Sequence, residues 1–288
     1  RPLMAAASGS GASAPPLSWP AWLESARVDD GLAASAYEAT PPDFRAALKT
    51  GLALAHFHFG ERTPCLDDTA RHDRLGFLRV RSRVPAPWAL IVISPAYAAA
   101  ARLTAACAAA LLAGVPRVGA VCLGGDPHAA ALVSLELSGV EDVFRLDAGR
   151  FAALLDGLAA LPGPRGRVVV LHDGELASIA PAARKRDIPC HEEHRPPRLR
   201  VEATAPIDRE LLAFAHGTAA VDAAPTAAAP VDAVFRATAE ADPDAALTLC
   251  PGCEGFWLHP GLDPNFFTVS RQAFAPWAPL RAETAAAS

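Results

Sequence analysis

Between Trp88 and Leu171 the chain alternates short, unbroken apolar runs with longer segments of helical periodicity. Trp88 to Ile93, Arg117 to Leu123, Asp142 to Leu146 and Arg167 to Leu171 read as strands. Tyr97 to Gly114, Pro127 to Gly139 and Phe151 to Leu161 read as helices, the first two closed by glycine. A strand that is apolar at every position, and not only at every second one, has both faces buried. Alternation with helices then makes the sheet parallel, with helices on both sides. The segment 86–171 is therefore a predicted Rossmann-like α/β unit, although no G-x-G-x-x-G fingerprint follows any of its strands.

The flanks are less regular. Pro41-Pro42-Asp43 opens a predicted helix that runs to Gly60, apolar at Phe44, Leu48, Leu52, Ala55 and Phe59, with Thr40 as candidate cap. His56 and His58 fall on different faces of this helix, His56 in a packing or capping position. Phe77 to Val84 alternates apolar and basic residues, the mark of a half-exposed strand. Downstream, Leu199 to Val201 reads as a strand, Asp208 to Gly217 as a helix, Ala223 to Pro230 as a linker and Val231 to Ala241 as a further helix. Leu247 to Pro279 gathers Phe256, Trp257, Phe266, Phe267, Phe274 and Trp277, a density expected of a packed segment. The expected organisation is a flexible leader over 1–40, on which Trp19, Trp22 and Leu23 can dock; a helix plus the Rossmann-like unit over 41–165; and a second α/β portion over 166–288.

Composition narrows the function classes. Hydrophobic residues reach 51% in 288 residues, but much of the excess is alanine and 20% of residues are charged, which predicts a soluble protein with tight helix contacts. The apolar stretch nearest to membrane length, Ala96 to Ala113, is interrupted by Arg102. No membrane association is expected, and a cytoplasmic location is the default. A net charge of −5 provides no field for a phosphate backbone, so nucleic acid is not an expected partner. The densest basic run, Ala183-Arg184-Lys185-Arg186, suits the last turn of a helix. Six cysteines in a chain this long do not form a disulfide scaffold, and Cys107 and Cys122 lie in apolar runs as small core residues.

Several stretches together resemble histidinol dehydrogenase, a zinc- and NAD-dependent enzyme. Pro41-Pro-Asp-Phe-Arg-Ala-Ala-Leu48, continuing to Leu54-Ala-His-Phe-His58, is similar to that family's early helix, which ends in a Phe-His pair. Leu111-Leu-Ala-Gly-Val-Pro-Arg-Val118 and Leu137-Ser-Gly-Val-Glu-Asp-Val-Phe144 resemble two of its helix-to-strand junctions, and Asp147-Ala-Gly-Arg-Phe-Ala-Ala-Leu-Leu155 the opening of its next helix. The matches keep order and spacing over 41–158. Departures fall on the chemistry. Where the family has a Tyr-x-Pro-Gly-Gly loop against the cofactor, this chain has Ile91-Val-Ile-Ser-Pro-Ala96, without the glycines that allow a backbone to approach a pyrophosphate. The family's Gln-Ala-Glu-His and Pro-Glu-His-Leu runs are absent. Leu211-Leu-Ala-Phe-Ala-His216 resembles the metal-bearing helix but keeps a single histidine.

Two constellations carry candidate chemistry. Ser94 with Tyr97, Gly124-Gly125-Asp126, and His172-Asp173 with Glu175 follow three predicted parallel strands, where α/β sheets place ligand crevices. Gly124 and Gly125 offer backbone N–H groups to an anion; equally, Asp126 and Asp173 are simple helix caps. Cys250-Pro-Gly-Cys253 has metal-ligand or redox-dithiol spacing, and Cys190 with His194 would complete a tetrahedral zinc set. Alternatively it is a proline-glycine turn, with His191 and His194 in a surface loop. Three readings follow: a histidinol dehydrogenase-like protein that has lost zinc/NAD chemistry but keeps a small-ligand crevice; an active NAD- or zinc-dependent oxidoreductase with a relocated site; or an assembly partner, as a homo-oligomer or through another protein.

Overall fold

A computed structural model of the chain describes residues 18–60, 66–222 and 231–277. In chain order a 3-10 turn, Ala21–Ala26, precedes α1 (Asp30–Ala39), α2 (Pro42–Phe59), β1 (Leu66–His72), β2 (Phe77–Pro85) and β3 (Ala89–Ile93). Then come α3 (Ala100–Leu112), β4 (Val118–Leu123), α4 (Ala129–Ser138), β5 (Asp142–Leu146), α5 (Ala148–Ala159) and β6 (Arg167–Leu171). The rest comprises α6 (Ile179–Arg184), β7 (Cys190–Glu193), β8 (Leu199–Val201), α7 (Arg209–His216), α8 (Thr218–Asp222), β9 (Val231–Phe235), β10 (Ala245–Leu249) and β11 (Thr268–Pro276).

The predicted parallel sheet is present, with five strands in the order β5-β4-β3-β6-β7. Successive residues of its strands enter different cores. Ile91, Ile93, Cys122, Val169 and Leu171 pack with Leu103, Ala106 and Cys107 of α3. Leu90, Val92, Val121, Val168 and Val170 pack with Phe151, Leu154 and Leu155 of α5 and Ile179 and Ala183 of α6. This two-sided burial is why the strands read as continuous apolar runs. Helix α3 is buried along most of its length, between the sheet and α2, α4 and α7. Its alanines permit that close approach, and Cys107 and Cys122 are core residues as expected. Arg184 ends α6, in keeping with a basic last turn.

Residues 18–40 depart from the expected flexible leader. Asp29 caps α1 by accepting the Gly31 N–H, and the helix packs on α4. Leu23 is buried and Trp19 donates its indole N–H to Asp142 at 2.6 Å, whereas Trp22 is exposed. Thr40 does not cap α2: its hydroxyl donates to the Ala36 carbonyl and closes α1 instead. His56 is exposed, not packed. The Ala223–Pro230 linker and Arg1–Pro16 lie outside the described residues.

Two smaller sheets flank the main one. The predicted helix at Val231 is instead strand β9, central in a parallel sheet ordered β10-β9-β8. A short run that is apolar except at Asp232 is compatible with strand or helix in sequence, and its two strand neighbours decide the matter. The predicted half-exposed strand at Phe77 is present as β2, and it pairs antiparallel with β1 on one side and β11 on the other. Because β6 lies against β3, a boundary at 165 would run through the main sheet. The aromatic segment is anchored by glycines: a Cβ on Gly51 of α2 would lie 1.9 Å from the Gly255 carbonyl oxygen, and one on Gly255 would lie 2.1 Å from that of Ala47. Only backbone-to-backbone contact fits there. It seats Phe256 and Trp257 in the core beside α2 and α7.

Candidate functional site

The order β5-β4-β3-β6-β7 reverses direction between β3 and β6, so the crevice beyond their carboxyl ends is the topological switch point. Ser94 follows β3 and His172 follows β6, and the structure brings both into one network. Ser94 donates its hydroxyl to Glu175, and the same carboxylate accepts the Asp173 N–H at 3.0 Å. Burial would raise the Glu175 carboxyl, but these hydrogen bonds outweigh it and hold it below its usual range. His172 is fully buried; its Nδ1 accepts the N–H groups of Gly174 (2.9 Å) and Leu176 (3.1 Å). The ring proton therefore sits on Nε2, which faces Glu192 at 3.3 Å. Asp173 does not cap α6, which begins only at Ile179; it lies 3.9 Å from Arg102, and burial raises its carboxyl.

Arg102, which in sequence merely interrupts an apolar stretch, is 1% exposed at the first turn of α3 and joins this crevice to β7. Its guanidinium holds Glu193 through Nε (2.9 Å) and Nη2 (2.7 Å), and reaches the carbonyls of His216 (3.2 Å) and Arg195 (3.4 Å). His259 lies across the same carboxylate, with Nδ1 2.7 Å from Oε2, while its Nε2–H donates to the Arg102 carbonyl at 2.7 Å. Burial would raise Glu193, but His259 and Arg102 overcome it and hold the carboxyl down to about 2. His216 donates Nε2–H to the Glu254 carbonyl at 2.9 Å, and burial beside Arg102 pushes its pKa down to about 3. Tyr97 completes the cluster: Arg102 lies 5.3 Å over its ring, and its buried hydroxyl has no hydrogen-bond partner among the described residues.

Next to this cluster a cavity of about 180 Å³ opens between β7 and the Trp257–Pro260 segment. His191, Glu193, Asp232, Trp257 and His259 contribute to its lining. His191 is thus not a surface-loop residue, whereas His194 is exposed in the loop after β7, as expected. His191 belongs to β7, paired with Val169 of β6, and its side chain lines the cavity; His194 follows the strand and lines the cavity too.

The remaining predicted residues are not brought together. Asp126 does not cap α4, because His128 takes that place by accepting the Ala130 N–H at 3.1 Å; Asp126 turns to Arg145 at 2.5 Å on the surface. The Gly124 N–H is committed to the Leu146 carbonyl at 2.9 Å and does not serve an anion. Gly125 has Pro95 against it: a Cβ there would be 3.0 Å from the proline ring. Cys190 packs in the α5/α6 core with its thiol pushed up to about 12 by burial, whereas Cys253 packs in the core around α7 and β9, its thiol also raised by burial. Thiols held protonated in separate cores are poor metal or redox groups. Cys250-Pro-Gly-Cys253 is a turn in which the Cys253 N–H donates to the Cys250 carbonyl at 3.0 Å and Gly252 supplies φ +91°. Among the described residues no group of three or more His, Cys, Asp or Glu is placed to hold a metal ion.

Against solved structures the chain is similar to a histidinol dehydrogenase from Elizabethkingia anophelis, with a TM-score of 0.56 and 10% identity over 86% of this chain and 76% of that one. The shared property is the fold. Two aldehyde dehydrogenases are less similar in shape: a betaine aldehyde dehydrogenase from Staphylococcus aureus (TM-score 0.39, 11% identity, 71% of this chain and 44% of that one) and an aldehyde dehydrogenase from Bacillus cereus (TM-score 0.38, 13% identity, 71% and 44%). No family model and no curated protein matches the sequence. Among the described residues no helix is long and apolar enough to cross a membrane.

Proposed function

We propose that this chain uses a histidinol dehydrogenase-like fold to bind a small molecule at the carboxyl edge of its parallel sheet, without zinc/NAD dehydrogenase chemistry. The observation that carries the reading is the state of the β3–α3 loop. A dinucleotide needs backbone to approach its pyrophosphate at the switch point. Here Ser94 is tied to Glu175 and Pro95 packs on Gly125, so the loop is occupied by its own side chains. Of the zinc donors expected in sequence, Cys190 and Cys253 lie in two different cores, and among the described residues no group of three or more His, Cys, Asp or Glu is placed to hold a metal ion.

What the residues can do is hold a ligand in a fixed electrostatic frame. His172 has its proton fixed on Nε2, and Glu193 is an anion clamped by Arg102 and His259. Such pre-set groups orient a ligand with little reorganisation. The test is NADH formation by the purified chain with histidinol, NAD⁺ and added zinc. No turnover above the protein-free rate is expected; robust zinc-dependent turnover would overturn the reading.

A further inference from the structure

The antiparallel sheet has the order β1-β2-β11, so among the described residues β1 is bonded to β2 alone. The ladder fixes which way its backbone groups point. Just past the two ends of the β2–β11 pairing, the Ala86 N–H donates to the Phe267 carbonyl at 2.7 Å and the Trp277 N–H to the Gly76 carbonyl at 2.6 Å. Bonded positions recur at every second residue of an antiparallel pair. The even-numbered residues of β2 therefore bond to β11, and Phe77, Arg79, Arg81 and Arg83 bond to β1. Their partners are His72, Ala70, Asp68 and Leu66. The N–H and C=O groups of Asp67, Thr69 and Arg71 consequently point away from the sheet, and all three residues are exposed.

An open edge of this kind is a template for another strand unless it is blunted. The opposite edge is blunted, because Pro276 falls on an outward position of β11 and has no N–H to offer. Strand β1 contains no proline, and its register with β2 is unbroken by a bulge. Its outward charges are also complementary to themselves. When two copies of β1 run antiparallel about a twofold axis at Thr69, Asp67 of each lies opposite Arg71 of the other, and all three outward residues form bonded pairs. Slipping the register by two residues sets Asp67 opposite Asp73 in one direction and Asp68 opposite its own copy in the other, so like charges disfavour both. Asp67 has no ion pair among the described residues, and Arg71 has only Asp73 at 3.4 Å, with both side chains more than half exposed. A pair that exposed is weak and readily exchanged.

We propose that β1 is the docking edge for a second copy of this chain, joined antiparallel about Thr69 and keyed by two Asp67–Arg71 pairs. The inference goes beyond the ligand-binding reading and does not depend on it. A ladder of 7 residues buries less than the ~1,200 Å² of a standard interface, so the dimer is reversible and its population rises with concentration.

The test is the mass of the full chain by sedimentation equilibrium between about 1 μM and about 1 mM, where weak contacts dissociate. The mass is expected to rise from that of one chain towards that of two. Asp67→Arg and Arg71→Asp each set like charges opposite one another twice, and each is expected to weaken association at least about tenfold. Mixing the two variants in equal amounts restores both opposite-charge pairs, so a heterodimer is expected to form as strongly as the parent dimer. In the parent, amide exchange at Asp67, Thr69 and Arg71 is expected to slow as concentration rises, while that at Asp68 and Ala70, already bonded to β2, stays constant. A chain that remains monomeric over the whole range, a dimer indifferent to both charge reversals, or a mixture of folded variants that does not recover would each overturn the proposal. So would a dimer whose three outward amides exchange as fast as in the monomer, a readout that needs no variant to fold. Turnover of histidinol would overturn only the ligand-binding reading.

Discussion

In the five-stranded sheet every residue of β3 is buried, while in the three-stranded sheet β1 has no buried residue and β11 is exposed from Ser270 to Pro276. Both sheets satisfy their backbone through regular ladders. They differ in what covers them. The parallel sheet has a helical layer on each face and gains from apolar area removed from water at roughly 25 cal/mol per Å². The antiparallel sheet relies on cross-strand pairs such as Arg79–Asp68 (3.1 Å) and Arg81–Asp68 (3.7 Å), and on Arg71 over the Trp277 ring at 4.7 Å. Exposed pairs of this kind contribute at most about 1 kcal/mol each. Strand pairing alone therefore does not set stability; the covering does.

The largest expected effect falls where the covered sheet contains charge. Arg102→Leu leaves Glu193 buried with only His259 beside it, and about 3–5 kcal/mol of stability should be lost in urea unfolding. A variant as stable as the parent would show that the cluster is not a structural element of the core.

A smaller effect at each step of pH is expected on acidification. His216 and His191 have folded values near 3 and 4, below the ordinary 6.5, so the unfolded chain takes up protons first as pH falls through 6.5. Glu193, near 2 in the fold against an ordinary 4.5, acts in the same direction below 4.5. Stability is then fully present above about pH 6.5 and declines towards acid. The urea midpoint at pH 5 should lie below that at pH 7, and His216→Phe should flatten the difference. A midpoint unchanged between the two pH values contradicts the burial of these rings.

The smallest effect belongs to the uncovered sheet. Phe274 is 71% exposed, and Phe274→Ser should change stability by no more than about 0.5 kcal/mol. A thermal-unfolding shift comparable to that of Arg102→Leu would mean that this face is covered in solution, and the contrast between the sheets would fail.

The parts that could be read from residues alone were those with one dominant physical cause. Ile91, Val92 and Ile93 are apolar because both faces are covered, and the glycine at 139 ends α4 in the left-handed region at φ +72°. Where two causes compete, sequence misleads. Asp126 before Pro127 has the form of a cap, yet His128 caps two residues later while Arg145 draws the aspartate away. Cys190-His-Glu-Glu193 is polar enough to pass for a loop. It is a strand because β6 offers it a partner, and because Arg102 neutralises Glu193 from 91 residues upstream. Of the expected crevice, Ser94, His172, Asp173 and Glu175 do meet, since strand ends converge in any parallel sheet. Arg102, His259 and Trp257 could not be placed there, because nothing local in their segments records the contact. One signal was available: an arginine in an alanine-rich helix that lies against a sheet needs a buried anion.

The pairing of β2 with β11 also bears on synthesis. The last strand of the parallel sheet, β7, ends at Glu193, so that sheet can assemble before β11 has been made. Strand β2 ends at Pro85 and pairs with residues from Thr268 onward. It must wait, an unfinished edge, until those residues are made, and at about 5–20 residues per second that interval lasts on the order of ten seconds or more. Its guanidinium groups at Arg79, Arg81 and Arg83 place charge along that edge, which discourages nascent chains from joining edge to edge before the proper partner arrives.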